Sequence, residues 1–149
     1  MIREANREDL NAVLELYLHL HETEVPKPDE HLRSTWEEII EDPNHHLIVA
    51  EEDGKIISSC VCLIVPNLTR SVRPYALVEN VVTHADYRCR GYAGQCLAYA
   101  REIALRNNCY KMMLMTSSKD PKTLQFYESS GYSSTDKTAF VQRLQTGTD

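Results

Sequence analysis

One part of the sequence joins an apolar run directly to an amphipathic run through a turn that contains glycine. Residues 75–83 read Tyr-Ala-Leu-Val-Glu-Asn-Val-Val-Thr, and this apolar run predicts a buried strand. The turn over residues 88–92 reads Arg-Cys-Arg-Gly-Tyr. After it, apolar residues recur at three- and four-residue spacing, which predicts a helix. These residues are Ala93, Cys96, Leu97, Ala100, Ile103 and Ala104. A strand followed at once by a helix indicates an α/β architecture.

The turn between this strand and this helix has the properties of an anion-binding site. The first amides of a helix have no partner within the helix, and the helix dipole places positive charge at the same end. Gly91 has no Cβ, so a phosphate group can approach its backbone closely. Arg88 and Arg90 add positive charge beside it. The turn therefore predicts a ligand that carries a pyrophosphate.

The spacing of the glycines excludes two common phosphate-binding motifs. The only nearby glycines are Gly91 and Gly94, which do not form the dinucleotide fingerprint G-x-G-x-x-G. No Lys-Ser or Lys-Thr follows them, as a P-loop requires. Through Arg88, Gly91 and Ala93, the segment instead resembles the Gln/Arg-x-x-Gly-x-Gly/Ala signature of the GCN5-related N-acetyltransferase (GNAT) family. The alternative is a helix cap with two surface arginines.

A second segment resembles the same family. Residues 124–132 read Leu-Gln-Phe-Tyr-Glu-Ser-Ser-Gly-Tyr, which is similar to the Phe-Tyr-x-x-x-Gly-Phe/Tyr segment that follows the first motif in GNAT proteins. Asp120 predicts a helix N-cap, Pro121 suits the first helical position and Gly131 suits a left-handed C-terminal position. The resemblance covers residues 75–132.

Composition and charge exclude several other classes of protein. The length of 149 residues predicts a single domain over residues 1–149. No apolar signal region is present and the longest apolar run, 60–65, is too short to span a bilayer, so we expect a cytoplasmic protein with no membrane partner. Five cysteines without a C-x-x-C pair favour reduced thiols.

Charge and histidine spacing bear on the expected partners. The net charge of −6 and the lack of a basic stripe predict no nucleic-acid partner. The pairs His19/His21 and His45/His46 lack the i,i+4 spacing of a zinc site, so we expect no metal. The sequence leaves a homodimer open.

The predicted elements follow an order that resembles the GNAT fold. They are a strand at 1–3, a helix capped by Asn6, a helix at 30–41, a hairpin at 47–52 and 56–65, a loop at 66–74, the strand at 75–83 and the helix from 93, a strand at 111–116, the helix after Asp120, and a closing hairpin at 133–135 and 138–143. The resemblance implies a mixed, mostly antiparallel, twisted sheet with splayed central strands and helices on both faces.

The resemblance also implies an activity, the transfer of an acetyl group from acetyl-CoA directly to a primary amine. The pyrophosphate would lie on the backbone of Arg88, Cys89, Arg90, Gly91, Tyr92, Ala93 and Gly94. The pantetheine arm would pair with the backbone of Val82 and Thr83 where the strands 75–83 and 111–116 splay. An N–H of the same region would stabilise the oxyanion.

Two residues are candidates for the proton transfers that this chemistry requires. Tyr127 lies where the family has its general acid, and a phenol with a pKa of about 10 can protonate a leaving thiolate. A structural role, in which the aromatic pair Phe126 and Tyr127 packs a short helix onto a sheet, is compatible with that role. Glu79, an acidic residue inside an apolar strand, is the candidate base, directly or through water. Alternatively, Glu79 is a structural partner of Arg73 or Lys111, and His84 is a weaker candidate base.

The motifs do not specify the amine. Segments 21–31 and 67–73 occupy positions that wall the acceptor site in the family. Acidic residues in the first segment favour a cationic amine by steering, unless they form a solvated loop, while Arg70 and Arg73 permit an acceptor with an acid group. We expect a small-molecule amine or amino acid. The alternatives are a protein lysine or N-terminus as acceptor, or a non-catalytic CoA-binding regulatory module.

Overall fold

A five-stranded β-sheet lies in the first of two units of the computed structural model, which describes residues 1–145. The first unit is Met1–Leu114 and the second is Met115–Asp149. The strands are β1 (Ile2–Glu4), β2 (His45–Glu52), β3 (Lys55–Val65), β4 (Tyr75–Thr83) and β5 (Met112–Leu114). They lie side by side in chain order, antiparallel except for the parallel pair β4 and β5. The predicted mixed, mostly antiparallel sheet is confirmed.

Helices cover both faces of this sheet. The helices of the first unit are α1 (Leu10–Tyr17), α2 (Glu30–Glu41), the single turn α3 (Thr69–Val72) and α4 (Tyr92–Arg106). Val61 of β3 packs in a core cluster with Val13 of α1 and Trp36 of α2. The next residue, Cys62, has its thiol 3.9 Å from the carbonyl oxygen of Ala100 in α4. Because neighbouring strand residues point to opposite faces, α1 and α2 lie on one face and α4 on the other.

Local sequence signals explain where several of these elements begin and turn. Asn6 and Asp9 form a capping box at the start of the 3-10 turn Arg7–Asp9, which leads into α1. The side chain of Asp29 accepts a backbone hydrogen bond from the first turn of α2. Asp53 and Gly54, with φ values of 50° and 77°, form the left-handed turn that a two-residue hairpin requires. The predicted bounds of α2 and the predicted β2–β3 hairpin are confirmed.

The parallel pairing between β4 and β5 covers only the first part of β4. Their parallel ladder runs from Ala76–Met112 to Val78–Leu114, and it ends there. β4 continues to Thr83 and pairs with β3 along that stretch. Asn80 has a φ of 51°, and a bulge shifts the β3–β4 register at this point. A bulge therefore lies just beyond the end of the ladder, at the place where the resemblance implied that the central strands splay.

The second unit contains one helix among its described residues, α5 (Pro121–Ser129). Asp120 caps it by accepting a hydrogen bond from the amide of Lys122 at 2.9 Å, and Pro121 occupies the first turn. Gly131 follows with a φ of 98°. These features confirm the predicted helix. That both units act as one domain over residues 1–149 stays a prediction.

The closing hairpin predicted at 133–135 and 138–143 is wrong. Residues 130–145 contain no strand, and the side chain of Phe140 is 92% exposed. A two-residue hairpin loop needs left-handed backbone, which Asn and Gly adopt readily. The loop here would be Asp136-Lys137, which contains neither. β-Branched and aromatic residues alone therefore did not form strands, because no turn brings them together.

The cysteines are reduced, and three of them lie in the interior. All five cysteines are free, and Cys60, Cys62 and Cys96 are buried. Burial raises the pKa of the Cys62 thiol to about 12 and that of the Cys96 thiol to about 11. Among residues 1–145, no helix is long and apolar enough to cross a membrane.

Candidate functional site

The turn before α4 presents a row of backbone amides. Gly91 is the N-cap of α4 in a left-handed conformation, with φ 87° and ψ 2°, and Cys89 is also left-handed with φ 61°. The carbonyl of Gly91 accepts the first helical hydrogen bond, from the amide of Gln95 at 3.0 Å. Within residues 1–145, the amides of residues 89–94 donate to no protein acceptor. Together with the helix dipole, these amides can bind an anion.

The two arginines of the turn are held by neighbouring groups. Arg88 donates from Nε to the carbonyl oxygen of Thr83 at 3.2 Å, and from Nη2 to that of His19 at 3.3 Å. The guanidinium of Arg90 lies over the ring of Tyr87, 5.2 Å from its centroid. Both positive charges therefore remain beside the amides of the turn, where they favour an anionic ligand.

Tyr92, in the first turn of α4, is fixed to the end of β2. Its hydroxyl donates to Oε1 of Glu52 at 2.6 Å, and this hydrogen bond raises the pKa of Tyr92. A cavity of about 330 Å³ lies nearby, lined by residues of both charges that include Glu52, Lys55 and Arg90. The cavity and the row of amides meet at Arg90.

The part of β4 beyond the parallel ladder is held from the β3 side. The buried Ser58 of β3 donates to the carbonyl oxygen of Val82 at 2.9 Å and shares a hydrogen bond of 2.8 Å with the hydroxyl of Thr83. Neither Ser58 nor the bulged Asn80 was identified from the sequence. A serine pair, Ser58-Ser59, inside the apolar run of β3 was the available signal, since buried hydroxyls need partners.

Glu79 is half-buried on β4 directly opposite Val61, on the sheet face that α1 and α2 cover. Among the described residues its side chain forms no hydrogen bond or ion pair. The structural partners considered from the sequence are engaged elsewhere. Arg73 donates to the carbonyl oxygens of Asn108 and Cys109, both at 3.2 Å.

Lys111, the other partner considered for Glu79, contacts aromatic rings. Its ammonium lies 5.1 Å from the ring centroid of Tyr75 and 5.2 Å from that of Tyr110. These are distances at which a cation is attracted to a ring face. The structural interpretation of Glu79 as an ion-pair partner is therefore weakened, while its role as a base stays a prediction.

Tyr127 lies on α5 in the second unit and is half-buried among aromatic rings. Its ring centroid is 5.1 Å from that of Phe126 and 6.4 Å from that of Tyr132. The amide of Tyr132 donates to the carbonyl oxygen of Tyr127 at 3.1 Å, which closes the C-terminal end of the helix around Gly131. The packing expected of this aromatic pair and the role of Tyr127 as general acid both stay predictions.

The acidic residues of segment 21–31 divide into two groups. Asp29 accepts the amide of Leu32 as a helix cap, and Glu30 pairs with Arg33 at 3.4 Å. Glu22 and Glu24 are exposed and pair with no described residue. They are the carboxylates of this segment that remain available to a cationic ligand.

Segment 67–73 contains three consecutive left-handed residues. Arg70, Ser71 and Val72 have φ values of 54°, 59° and 60°. The side-chain amide of Asn67 donates to the carbonyl oxygens of Thr69 and Arg73, both at 3.1 Å, and so closes the loop. A β-branched residue in this conformation is unusual and marks a backbone held by its surroundings.

Metal binding receives no support from the described residues. Among residues 1–145, no group of three or more His, Cys, Asp or Glu side chains is arranged to hold a metal ion.

Comparison with known proteins matches most of the chain to one protein family. A family model described as "Acetyltransferase (GNAT) family" matches residues 10–132. A glucosamine 6-phosphate N-acetyltransferase of Trypanosoma brucei brucei is 34% identical over 79 residues, which are 53% of this chain and 52% of that protein. The match thus spans about half the length of this curated relative.

Two solved structures resemble the chain along nearly its whole length. One, described as "Putative acetyltransferase from Agrobacterium tumefaciens str. C58", has 40% identity and a TM-score of 0.90, with 97% of this chain and 99% of that chain covered. A transcriptional regulator from Bacillus halodurans C-125 has 27% identity and a TM-score of 0.85, with 96% and 99% covered.

Proposed function

The chain belongs to the acetyltransferase (GNAT) family, and we propose that it transfers an acetyl group from acetyl-CoA to the primary amine of a small molecule. The observation that carries this proposal is the turn before α4. There, the amides of residues 89–94 have no protein acceptor among the described residues and lie at the positive end of a helix. A pyrophosphate supplies the oxygen acceptors that these amides lack.

In this proposal the pyrophosphate of acetyl-CoA binds the backbone from Arg88 to Gly94. A Cβ built on Gly91 would contact only Nε2 of Gln95, at 4.0 Å, so the space beside this residue is open to a ligand. Arg88 and Arg90 contribute charge from their fixed positions. The residues present therefore fit a doubly charged anion better than a neutral ligand.

The pantetheine arm is placed along β4 beyond the end of its ladder with β5. Glu79, Val82 and Thr83 pair with β3, and the β4 residues that pair with β5 end at Val78. An extended ligand can add to such an edge as a strand does, through the backbone of Val82 and Thr83. Ser58 holds this backbone in place from the β3 side.

Acetyl transfer to an amine needs two proton transfers and no protein nucleophile. The amine nitrogen attacks the thioester carbonyl, and the C–S bond breaks to release CoA. We assign Glu79 to accept the amine proton, directly or through water, because it is half-buried and pairs with no described residue. We assign Tyr127 to protonate the departing thiolate, on the basis of its place in the family motif.

The acceptor we propose is a small amine that carries positive charge before reaction. The exposed Glu22 and Glu24 support this assignment, because carboxylates attract cationic ligands by steering. The named activity of the Trypanosoma relative makes amino sugars the first class to test. Arg70, whose guanidinium lies 5.7 Å from the ring centroid of Tyr110, is a candidate contact for an acid group on such a substrate.

A panel of amines tests this proposal. Release of the CoA thiol from acetyl-CoA would be measured with amino sugars, their phosphates, polyamines, amino acids and a lysine peptide. We expect rapid release with at least one small amine and slow release with the peptide. Release with the peptide alone would contradict a small-molecule acceptor and would indicate that the acceptor is a protein lysine.

A second candidate function is a regulatory module that binds CoA without catalysis. The likeness to a protein named as a transcriptional regulator supports this second candidate. Such a module would bind CoA, as measured by calorimetry, and would release no thiol with any amine of the panel. Both functions therefore predict binding of CoA, and only the acetyltransferase predicts release of the CoA thiol.

A further inference from the structure

The end of α1 is joined to the turn before α4 by two histidines whose rings are in contact and inclined at 40°. His19 follows α1 and His84 follows β4, and their ring centroids are 4.1 Å apart. Nδ1 of His84 accepts the amide of Asp86 at 3.1 Å, and Nδ1 of His19 accepts the amide of Ala85 at 3.3 Å. These amides open the 3-10 helix Ala85–Tyr87 and would otherwise lack partners. One cap of this helix therefore comes from a distant part of the chain.

Arg88 makes the second link between the same two regions. Its Nη2 donates to the carbonyl oxygen of His19, just after α1, and its Nε donates to that of Thr83. Carbonyls at a helix C-terminus lack partners and carry partial negative charge, so a guanidinium is well suited to this position. We name His19, His84 and Arg88 together the histidine junction.

A neighbouring contact fixes the same end of α1 to the bulge of β4. Tyr17, the last residue of α1, is half-buried against the core cluster and interacts with the side chain of Asn80. Burial, the larger influence, raises the pKa of Tyr17. The chain is thus held at Tyr17 and at His19, and the exposed segment that contains Glu22 and Glu24 begins immediately afterwards.

We propose that the histidine junction couples occupancy of the amide row 89–94 to the order of segment 18–29. An anion that binds the amides restrains the turn. The junction passes this restraint to the end of α1 and so to segment 18–29, which contains Glu22 and Glu24. The inference rests on the proposed function, because CoA is the ligand that would occupy the turn. His19, His84 and Arg88 are positioning residues in this scheme. By linkage, ordering of segment 18–29 increases the affinity for CoA by the same factor by which CoA binding favours the ordered segment.

Hydrogen exchange with and without coenzyme A tests this coupling. In the wild-type protein we expect CoA to slow exchange of the amides of residues 89–94 and, by about fivefold or more, those of residues 18–25. In His19→Ala we expect protection of 89–94 to persist and the change at 18–25 to fall below about twofold. His21→Ala is the matched control, since His21 is exposed and contacts no described residue, and it should behave as wild type.

Each outcome of this experiment decides between two claims. Protection of 89–94 without any change at 18–25 in the wild type overturns the coupling and leaves the proposed function standing. Equal responses at 18–25 in wild type and His19→Ala also overturn the coupling. No protection of 89–94 overturns the proposed function itself. If His19→Ala does not fold, His19→Leu keeps side-chain bulk against His84 while removing the acceptor for Ala85, and the same loss of response is expected.

Discussion

Gly91 has a backbone conformation that a β-branched side chain adopts only under strain. Its φ is 87°, and a Cβ at this position would contact only Nε2 of Gln95 at 4.0 Å. Gly91→Val therefore distorts the turn and enters the space beside the amides without crowding the protein interior. We expect the Kd for acetyl-CoA, measured by calorimetry, to rise at least about tenfold.

Gly54→Val is a matched control for this substitution. Gly54 has a φ of 77° with no atom within 4 Å of a built Cβ, so the backbone strain is similar. We expect this variant to lose stability and keep its affinity for acetyl-CoA. A folded Gly91→Val protein with wild-type affinity would remove Gly91 from the binding site.

The hydroxyl of Tyr127 is the atom assigned to protonate the leaving thiolate. Tyr127→Phe keeps the ring that packs against Phe126 and removes the proton donor. We expect kcat to fall by about 10²–10⁴-fold, with little change in the affinity for acetyl-CoA. Tyr132→Phe, a change in the same aromatic group, should leave kcat near the wild-type value. Wild-type turnover by Tyr127→Phe would show that solvent protonates the thiolate.

Among the secondary-structure elements, β4 combines a bulge, a stretch beyond its ladder with β5 and one half-buried carboxylate. If Glu79 accepts the amine proton, Glu79→Gln keeps the shape of the side chain and removes the base. We expect kcat/KM to fall near neutral pH and the acidic limb of its pH profile to flatten. Raising the pH should restore much of the loss, because amines that are already deprotonated need no base.

A melting temperature measured on the same Glu79→Gln variant separates catalysis from structure. A purely structural role would lower the melting temperature and leave the shape of the pH profile unchanged. That result would contradict Glu79 as the base. A stable variant with an unaltered profile would dismiss both roles.

Elements were predictable where short-range signals decide them. α2 was predicted at its observed bounds because Pro43 stops the helix, and the structure shows in addition that Asp29 caps its start. The β2–β3 turn was predictable because Asp53-Gly54 adopts left-handed backbone at low cost. The closing hairpin failed because no equivalent turn residue lies between its predicted strands.

The candidate site, like the elements, was predictable only where a local motif specifies it. The turn around Gly91 follows from a local motif, whereas the contacts of Arg88 with His19 and of Ser58 with Val82 join distant residues. The bulge at Asn80 depends on the register of β3 against β4, which no local pattern specifies. The candidate anion site was therefore predictable from a local motif, whereas the groups that hold its turn in place were not.

At the scale of the whole molecule, Arg3 joins β1, the start of α1 and the end of β2. Its guanidinium donates to Asp9 at 2.7 and 3.0 Å and to Glu51 at 2.9 and 3.0 Å. The hydrogen bond from Arg3 is the main reason that the pKa of Asp9 lies below its ordinary value of 3.8. Asp9 is 9% exposed, so the loss of this network leaves polar groups without partners.

Asp9→Asn should lower the free energy of unfolding by about 1–3 kcal/mol near pH 7. A carboxylate whose folded pKa is depressed stabilises the fold above its unfolded pKa, and this contribution is lost as pH falls through the folded value. The difference between wild type and Asp9→Asn should therefore shrink as the pH is lowered below about 4. Denaturant unfolding followed by fluorescence of Trp36, the single tryptophan, provides the measurement. A difference that does not depend on pH would contradict this role.

Acetyl transfer to a small amine is tested most directly by mass spectrometry of the amines themselves. The protein would be incubated with acetyl-CoA and the mixed amine panel, and each product would be quantified against the CoA released. We expect an N-acetylated small amine in amounts equal to released CoA, and a rate at least about tenfold lower for Gly91→Val at limiting acetyl-CoA. Binding of CoA with no acetylated amine in any sample would contradict the proposed activity.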